Sequence, residues 1–341
     1  MTEAAFALPW VSIILLNYKG HQDTMECLES LFKLDYERFS IVVVDNHSPD
    51  HSLDYIQQWL QEYEQEKVKE KLVVTEGRFH FHFDHVKEET LATHSRVKAL
   101  VTTIQGAENL GFAGGNNIGI RFAQRTFSPD FVWVLNNDTV VAPDSLSHLV
   151  RKAQLDLQFG HRIGIWGSKL LYYHQPDTIQ AIGGKLNLTT FTTRHIDEGQ
   201  KDSPSAYLEN PNQDYVIGAS LFVSRAFLDE VGVLSEDYFL YFEELDWVKR
   251  GQKLGYALGY VPESRVYHKE GTSIGSSSAG KKKSDLADYH GIRSKIIFFQ
   301  KFYPEKKLHL YAVLLVSVFL RLGRFQLKRA FQILKLMGRT P

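Results

Sequence analysis

Three short runs of apolar, largely β-branched residues each stop at a cluster of amide and carboxylate side chains. Residues 11–16 (VSIILL) run into Asn17 and Tyr18, residues 41–44 (IVVV) into Asp45 and Asn46, and residues 131–135 (FVWVL) into Asn136, Asn137 and Asp138. Runs this apolar must be covered on both faces, which places them inside a parallel sheet flanked by helices. Between the first two lies a helical pattern after Gly20, with Met25, Leu28, Leu31 and Phe32 at spacings of three and four. After the second, Asp50 or Ser52 is placed to cap a helix carrying Leu53, Ile56 and Leu60. Strand, helix, strand, helix predicts an α/β fold with a Rossmann-like, mainly parallel central sheet. Ligands bind such sheets outside the carboxyl ends of the strands, so the three polar clusters are expected to converge on one crevice suited to a nucleotide or phosphorylated ligand.

Elsewhere the pattern is less regular. Residues 62–106 read as a long polar insertion, dense in Gln, Glu and Lys at 62–71 and alternating aromatic with histidine at 79–83. His80, His82 and Asp84 would share one face of a strand there, either as a metal site or as a polar edge. Helices are predicted over residues 112–125 and from Pro143 and Asp144 to residue 150, and strands over 163–171, 215–223 and 255–261. Residues 271–283, rich in Ser, Gly and Lys, predict a mobile loop, and the chain from about Leu286 is helical and basic.

Charge and cysteine content narrow the functional classes. A net charge of −1 over 341 residues gives no overall nucleic-acid signature. Residues 281–341 hold 14 Lys and Arg against three acids, leaving 25 against 37, a balance of −12, on the rest. A basic tail on an acidic body is expected to meet an anionic surface. The single cysteine, Cys27, excludes a disulfide framework and a multi-cysteine metal site. The first residues lack the basic region of a secretory signal, which reads as cytoplasmic. The most apolar run, residues 310–320, is too short to span a bilayer. Residues 308–337 mix apolar patches with Arg321, Arg324, Lys328, Arg329 and Lys335. That pattern suits a helix lying on the inner face of the plasma membrane, or one packed on the catalytic domain or on a second copy in a homo-oligomer.

Four further groups bear on chemistry. Glycines at a helix start, as in NLGFAGGNNIGI (residues 109–120), let backbone approach a ligand and aim N–H groups from Gly111 to Asn117 at it; the alternative is a tight loop packed on the sheet. The dinucleotide fingerprint is absent, since only Lys19 and Gly20 follow the first strand, which argues against a dehydrogenase and a sugar nucleotidyltransferase. Asp138 with Asn136 suits a hard divalent ion that takes its other ligands from diphosphate and water, or else a turn. Glu243, Glu244 and Asp246 lie among Tyr238, Phe239, Tyr241, Phe242 and Trp247. Paired, desolvated carboxylates raise one pKa toward that of a general base, whereas a solvated helix start would carry the same acids for its dipole. His268 is either structural or a ligand for a Mn²⁺-type ion.

The segments VSIILLNYKG, VVVDNHSPD, NLGFAGGNNIGI, WVLNNDT, VIGASLFVSR, YFLYFEELDWVKR and YVPESRVYHKEGTS occur in that order. Together they resemble glycosyltransferase family two, and within it the rhamnosyltransferase-like branch. The resemblance covers residues 9–276 apart from the insertion, and leaves 277–341 as a loop and a basic amphipathic tail. It implies the GT-A fold and an inverting transfer, assisted by Mg²⁺ or Mn²⁺, from a dTDP- or UDP-sugar, rhamnose being favoured. The implied acceptor is a hydroxyl of a glycan or lipid-linked glycan. It implies Asn17 and Tyr18 near the nucleobase and Asp45 on base or ribose; the strand-end and glycine clusters add Asn46, Gly111, Gly115, Asn116 and Asn137 as expected donor-binding residues. Asp138 would be the last acid of the family's DXD metal motif, joined by Asn136 and His268. Glu244 would be the general base, with Glu243 as the alternative and Asp246 in the same acidic group. Two positions depart from the family pattern: Asn136 is an amide where the motif has an acid, and Glu244 stands where aspartate is common. Two other classes stay open, a catalytically inactive glycan- or nucleotide-sugar-binding protein on the same fold and a sugar nucleotidyltransferase.

Overall fold

The structure, a computed structural model, describes residues 8–69, 83–88, 100–203, 211–269 and 284–339. Strand β1 (Val11–Asn17) leads through helix α1 (His21–Leu31) to β2 (Phe39–Asp45). Helix α2 (Ser52–Lys69) then precedes β3 (Phe83–Lys87) and β4 (Val101–Gln105). These strands lie parallel in the order β3-β4-β2-β1. Helix α3 (Gly111–Thr126) carries the chain back past β1 to β5 (Phe131–Asn136), parallel to β1 on its other side. The reversal of strand order at β1 opens a crevice beyond the carboxyl ends of β1 and β5.

The sheet continues with strands that interleave in sequence. They are β6 (Thr139–Val141), α4 (Ser145–Gln158), β7 (Ile163–Tyr172), β8 (Gln175–Ala181), the hairpin β9 (Gly184–Asn187) and β10 (Thr192–His195), and β11 (Ser220–Ser224). Helices α5 (Arg225–Val231) and α6 (Glu243–Lys253) precede β12 (Ala257–His268). The order beyond β5 is β11-β7-β12-β6, with β8 along β7 and β11 antiparallel to both neighbours. The chain then forms α7 (Asp285–Phe302), a 3-10 turn at Pro304–Lys306, α8 (Lys307–Gly323) and α9 (Leu327–Arg339). The result is the expected α/β fold with a mostly parallel central sheet and a helical C-terminal region.

Strand alternation sends neighbouring side chains into two cores. Ile14, Val42, Val44, Val132 and Val134 face the helices α3, α6 and α7, whereas Ile13, Leu15, Ile41, Val43, Trp133 and Leu135 face α1, α2 and α4. Helices α8 and α9 join the first core through Leu310, Leu314, Val318, Ile333 and Leu336.

Several expectations are revised. The stretch at 62–106 is not wholly inserted: its first residues prolong α2 to Lys69, and β3 and β4 extend the sheet edge. His80, His82, residues 79–82 generally and the expected loop at 271–283 lie outside the described residues, as does the side chain of Asp84. The strand expected at 215–223 begins only at Ser220, because residues before it turn along the crevice floor. Strand β12 runs on to His268, seven residues past the expected end at 261.

Candidate active site

Register brings the three polar clusters together. Asn17 lies opposite Asp45 across the β1–β2 pair, and Leu16 opposite Asn136 across the β1–β5 pair. Asn17 Nδ2 donates to Asp45 Oδ2 (2.6 Å), and the Ser48 hydroxyl and backbone N–H donate to the same carboxylate at 2.7 and 2.8 Å. Asn46 Nδ2 donates to Asn109 Oδ1 and the Gly111 carbonyl, both at 3.0 Å, while its Oδ1 accepts from Leu110 N–H. This clasp fixes the start of α3. At Gly111 the backbone is left-handed (φ 69°), and an added Cβ would come within 2.1 Å of the Phe239 carbonyl. No side chain fits there.

These groups border a cleft of about 610 Å³. It receives Tyr18, Asn46, Gly111, Asn136, Asn137, Asp138, His268, Glu243 and Glu244 among the residues singled out in the sequence. It does not receive Asn17, Asp45, Gly115, Asn116 or Asp246. Asn17 and Asp45 are buried and saturate one another at the strand ends. Gly115 lets α3 lie on the sheet, where a Cβ would meet Leu16 at 2.4 Å, and buried Asn116 donates to the Phe112 carbonyl. The N–H groups of Gly111 and Phe112 are already taken by Asn109 Oδ1 and the Phe239 carbonyl, so they are not donors for a ligand. Asn137, although in the cleft wall, donates to Thr24 Oγ1 (2.9 Å) and braces the β1–α1 turn.

Asp138 and His268 meet although 130 residues separate them. The antiparallel β12–β6 pair sets His268 opposite Thr139, beside Asp138. His268 Nε2 lies 3.1 Å from Asp138 Oδ1 and 3.4 Å from Asn136 Nδ2. On the far side of the ring Nδ1 lies 3.0 Å from Gln180 Oε1. With Nδ1–H donating to that amide oxygen, the ring presents its Nε2 edge to Asp138. An imidazole nitrogen and a carboxylate oxygen at the same point of the cleft are the donor types that suit a divalent cation. Gln180 and Lys269 were not singled out from the sequence. Gln180 reaches the site through β8, whose register along β7 is irregular, and no local pattern announces it. Lys269 anchors the end of β12 by donating to Asp23 (2.7 Å) and to Glu26 on α1, and its backbone N–H donates to the Asp138 carbonyl.

The acidic cluster is divided by its surroundings. Tyr241 (φ 68°) and Phe242 (φ 72°) are both left-handed, a conformation costing about 1–3 kcal/mol per non-glycine residue. The turn is held by Ser294 Oγ donating to the Leu240 carbonyl (2.8 Å) and by the Phe242 ring against Phe298 and Phe299. It delivers Glu243 and Glu244 into the cleft at the start of α6. Burial and the neighbouring Glu244 carboxylate push Glu243 well above the usual carboxylate range, and burial raises Glu244 to about 7. Glu243 Oε2 is buried with no hydrogen-bond partner among the described residues. Asp246, expected in the catalytic group, points into the core instead. It accepts from the Tyr238 hydroxyl (3.0 Å), Arg250 Nε (2.7 Å) and Lys301 Nζ (2.6 Å), and is fully buried. It ties α6 to α7 rather than meeting a substrate.

The fold is that of the GT-A class of α/β proteins. A model of "Glycosyl transferase family 2" matches residues 12–72 and 84–220, more than half the chain, and the chain belongs to that family. The match is interrupted at residues 73–83, within the stretch 62–106. The N-acetylglucosaminyl-diphospho-decaprenol L-rhamnosyltransferase of Mycobacterium tuberculosis is 36% identical over 84 residues, 25% of each chain. The low-salt glycan biosynthesis hexosyltransferase Agl10 of Haloferax volcanii is 21% identical over 170 residues, 49% of this chain and 51% of that one. The matched stretches thus span a quarter to a half of these relatives. Among solved structures, GalNAc-T7 with UDP, GalNAc and Mn²⁺ aligns with a TM-score of 0.60 at 17% identity, over 90% of this chain and 50% of that one. The S. aureus TarS fragment 1–349 with UDP-GlcNAc aligns at 0.52 and 16% identity, over 96% and 80%. At these identities the likeness establishes the fold.

Proposed function

We propose that the protein is an inverting glycosyltransferase that moves a sugar, rhamnose first among candidates, from a dTDP- or UDP-sugar to a hydroxyl of a glycan or lipid-linked glycan. The observation that carries this reading is the presence, in one cleft, of the Asp138–His268 pair and of the adjacent glutamates Glu243, which is buried, and Glu244. Family membership and the rhamnosyltransferase relative support the donor class. Asp138 and His268, with Asn136 beside them, would hold Mg²⁺ or Mn²⁺, which when bound neutralises charge on the diphosphate leaving group. Tyr18, Lys19 and Asn46 form the donor wall next to the β1 end. Glu244 takes the proton from the acceptor hydroxyl as that oxygen attacks the anomeric carbon, and the glycosidic bond to diphosphate breaks on the opposite face. Glu243 stays protonated, which keeps the pair from carrying two charges. The setting proposed is the cytoplasm, at the inner face of the plasma membrane, in growth of a surface glycan.

A donor panel tests the reading. Full-length protein is heated with dTDP-rhamnose, other dTDP-sugars, UDP-sugars and GDP-mannose, each with and without Mn²⁺. One donor should raise Tm in proportion to occupancy, and only with the metal. A panel with no shift for any diphosphate sugar, or a shift for nucleoside triphosphates alone, would refute the donor assignment.

A further inference from the structure

The helical hairpin formed by α8 and α9 has two unlike faces. Its inner face is core: Leu310, Leu314 and Val318 on α8 and Ile333 on α9 are buried. Ion pairs fix it to α7, Arg321 with Asp288 (2.7 Å) and Arg329 with Asp285 (2.7 Å). The outer face should therefore be polar. Instead Leu315, Val316, Phe319 and Leu320 are exposed on α8, Phe319 at 69%. The turn tip, Phe325, is 90% exposed, and Phe331 on α9 is 69% exposed. Rigid, outward-facing aromatic and aliphatic side chains in this number form a binding surface rather than scattered exposure.

Charge identifies the occupant. Residues 306–341 contain eight Lys and Arg and no acid. Arg324 beside the tip and Lys335 on α9 are exposed. A second copy docked on the same face about a two-fold axis would bring this acid-free surface against itself, cation toward cation. An anionic leaflet meets both halves of the face, taking the apolar side chains into the acyl boundary and the cations at the phosphates. Among the described residues no helix is long and apolar enough to cross a membrane, so the hairpin lies in the interface plane. We propose that the outer face of α8–α9 is a membrane-docking surface selective for anionic lipid, with Phe319, Phe325 and Phe331 as the inserted anchors. The hairpin is joined to the cleft through α7, whose Ser294 and Lys301 hold the Leu240 carbonyl and Asp246. Docking would thus set the cleft at a fixed attitude to the bilayer, where a lipid-linked acceptor arrives. The surface itself does not depend on the donor chemistry.

Flotation of the full-length protein on a sucrose gradient tests this without any turnover assay. Vesicles of phosphatidylcholine alone are compared with vesicles containing phosphatidylglycerol. Wild type should float with the anionic vesicles and lose that partition between about 0.1 and about 1 M salt, as the screening length falls from about 10 to about 3 Å. The triple variant F319S/F325S/F331S should lose partition by at least ~10-fold with an unchanged Tm. R324Q/K335Q should bring anionic vesicles down toward the level of neutral ones. The proposal is overturned if wild type stays at the bottom with both vesicles, or if the triple variant floats like wild type. It is equally overturned if light scattering shows a dimer that the triple variant splits while nothing floats, which would make a second copy the occupant.

Discussion

Asp138 and His268 sit among hydrogen bonds, while Glu243 and Glu244, in the same cleft, sit among aromatic rings. The first pair has its ring held by Gln180 and its backbone tied down by Lys269, beside the antiparallel pairing of β12 with β6. The second hangs on two left-handed residues and leaves one carboxylate oxygen unpartnered among the described residues. The contrast teaches how one cleft does opposite things with carboxylates. Satisfied donors and acceptors stabilise charge at rest, which suits ligation. Desolvation without partners withholds charge, which suits a base that accepts a proton only in the transition state.

The largest effect should come from removing the proposed base. Glu244→Gln is expected to lower kcat by about 10²–10⁴-fold, the usual span for a general base, with the donor-induced Tm shift preserved. Glu243→Gln, which imitates a protonated acid, should cost only a few-fold. Single-turnover release of the nucleoside diphosphate reads both. Survival of turnover in E244Q with collapse in E243Q would exchange the roles, and two active variants would remove the mechanism.

Asp246 sharpens the comparison from the side of stability. It lies two residues from Glu244, yet three donors saturate it. Asp246→Ala would leave Arg250 without its carboxylate and Lys301 with Asp237 alone, and is expected to destabilise the fold by about 3 kcal/mol. Its donor-induced rise in Tm, taken from the lowered starting value, should persist. Loss of turnover in a variant of unaltered Tm would return Asp246 to the catalytic group.

At the ligand pair, Asp138→Ala and His268→Ala should each raise the Mn²⁺ needed for half-maximal activity, and Gln180→Ala should do so by about 10–100-fold through the ring orientation it sets. Undiminished wild-type activity in chelator would end the metal assignment.

How far the sequence disclosed this site follows from the same division. Strand ends and their polar clusters were legible because β1, β2 and β5 are buried on both faces and interrupted by amphipathic helices. Convergence of Asn17, Asp45 and Asn136 then follows from parallel register alone. Roles within the clusters were less legible. Nothing in the order of residues distinguishes Asn46, which reaches the cleft wall, from Asp45, which is spent on Asn17 and Ser48. Glu243-Glu244-x-Asp246 reads as one group, and only the helical turn carries Asp246 away from Glu244 and into the core. Partners brought in by long-range antiparallel pairing, such as Gln180, left no local trace. The tail's pattern of apolar patches and cations suits both packing and a membrane surface, and its inner face is packed while its outer face is apolar and exposed.

The smallest effect tests the desolvated pair in two ways at once. Folding raises Glu244 from its ordinary value of 4.5 to about 7. Between those values the native state binds more protons than the unfolded one, so stability falls as pH rises. This contribution is full below about 4.5 and is lost as pH passes about 7. Glu244→Gln abolishes the titration, so its stability relative to wild type should be greater at pH 8 than at pH 5.5. Because Glu244 is partly open to the cleft, the difference should be on the order of 1–2 kcal/mol, below the full value of the shift. Catalysis should run the other way, with kcat/KM of wild type climbing with pH through about 7 as the base ionises. A pH-independent stability difference between wild type and E244Q, together with a rate profile flat from pH 6 to 8, would show that Glu244 is an ordinary solvated carboxylate.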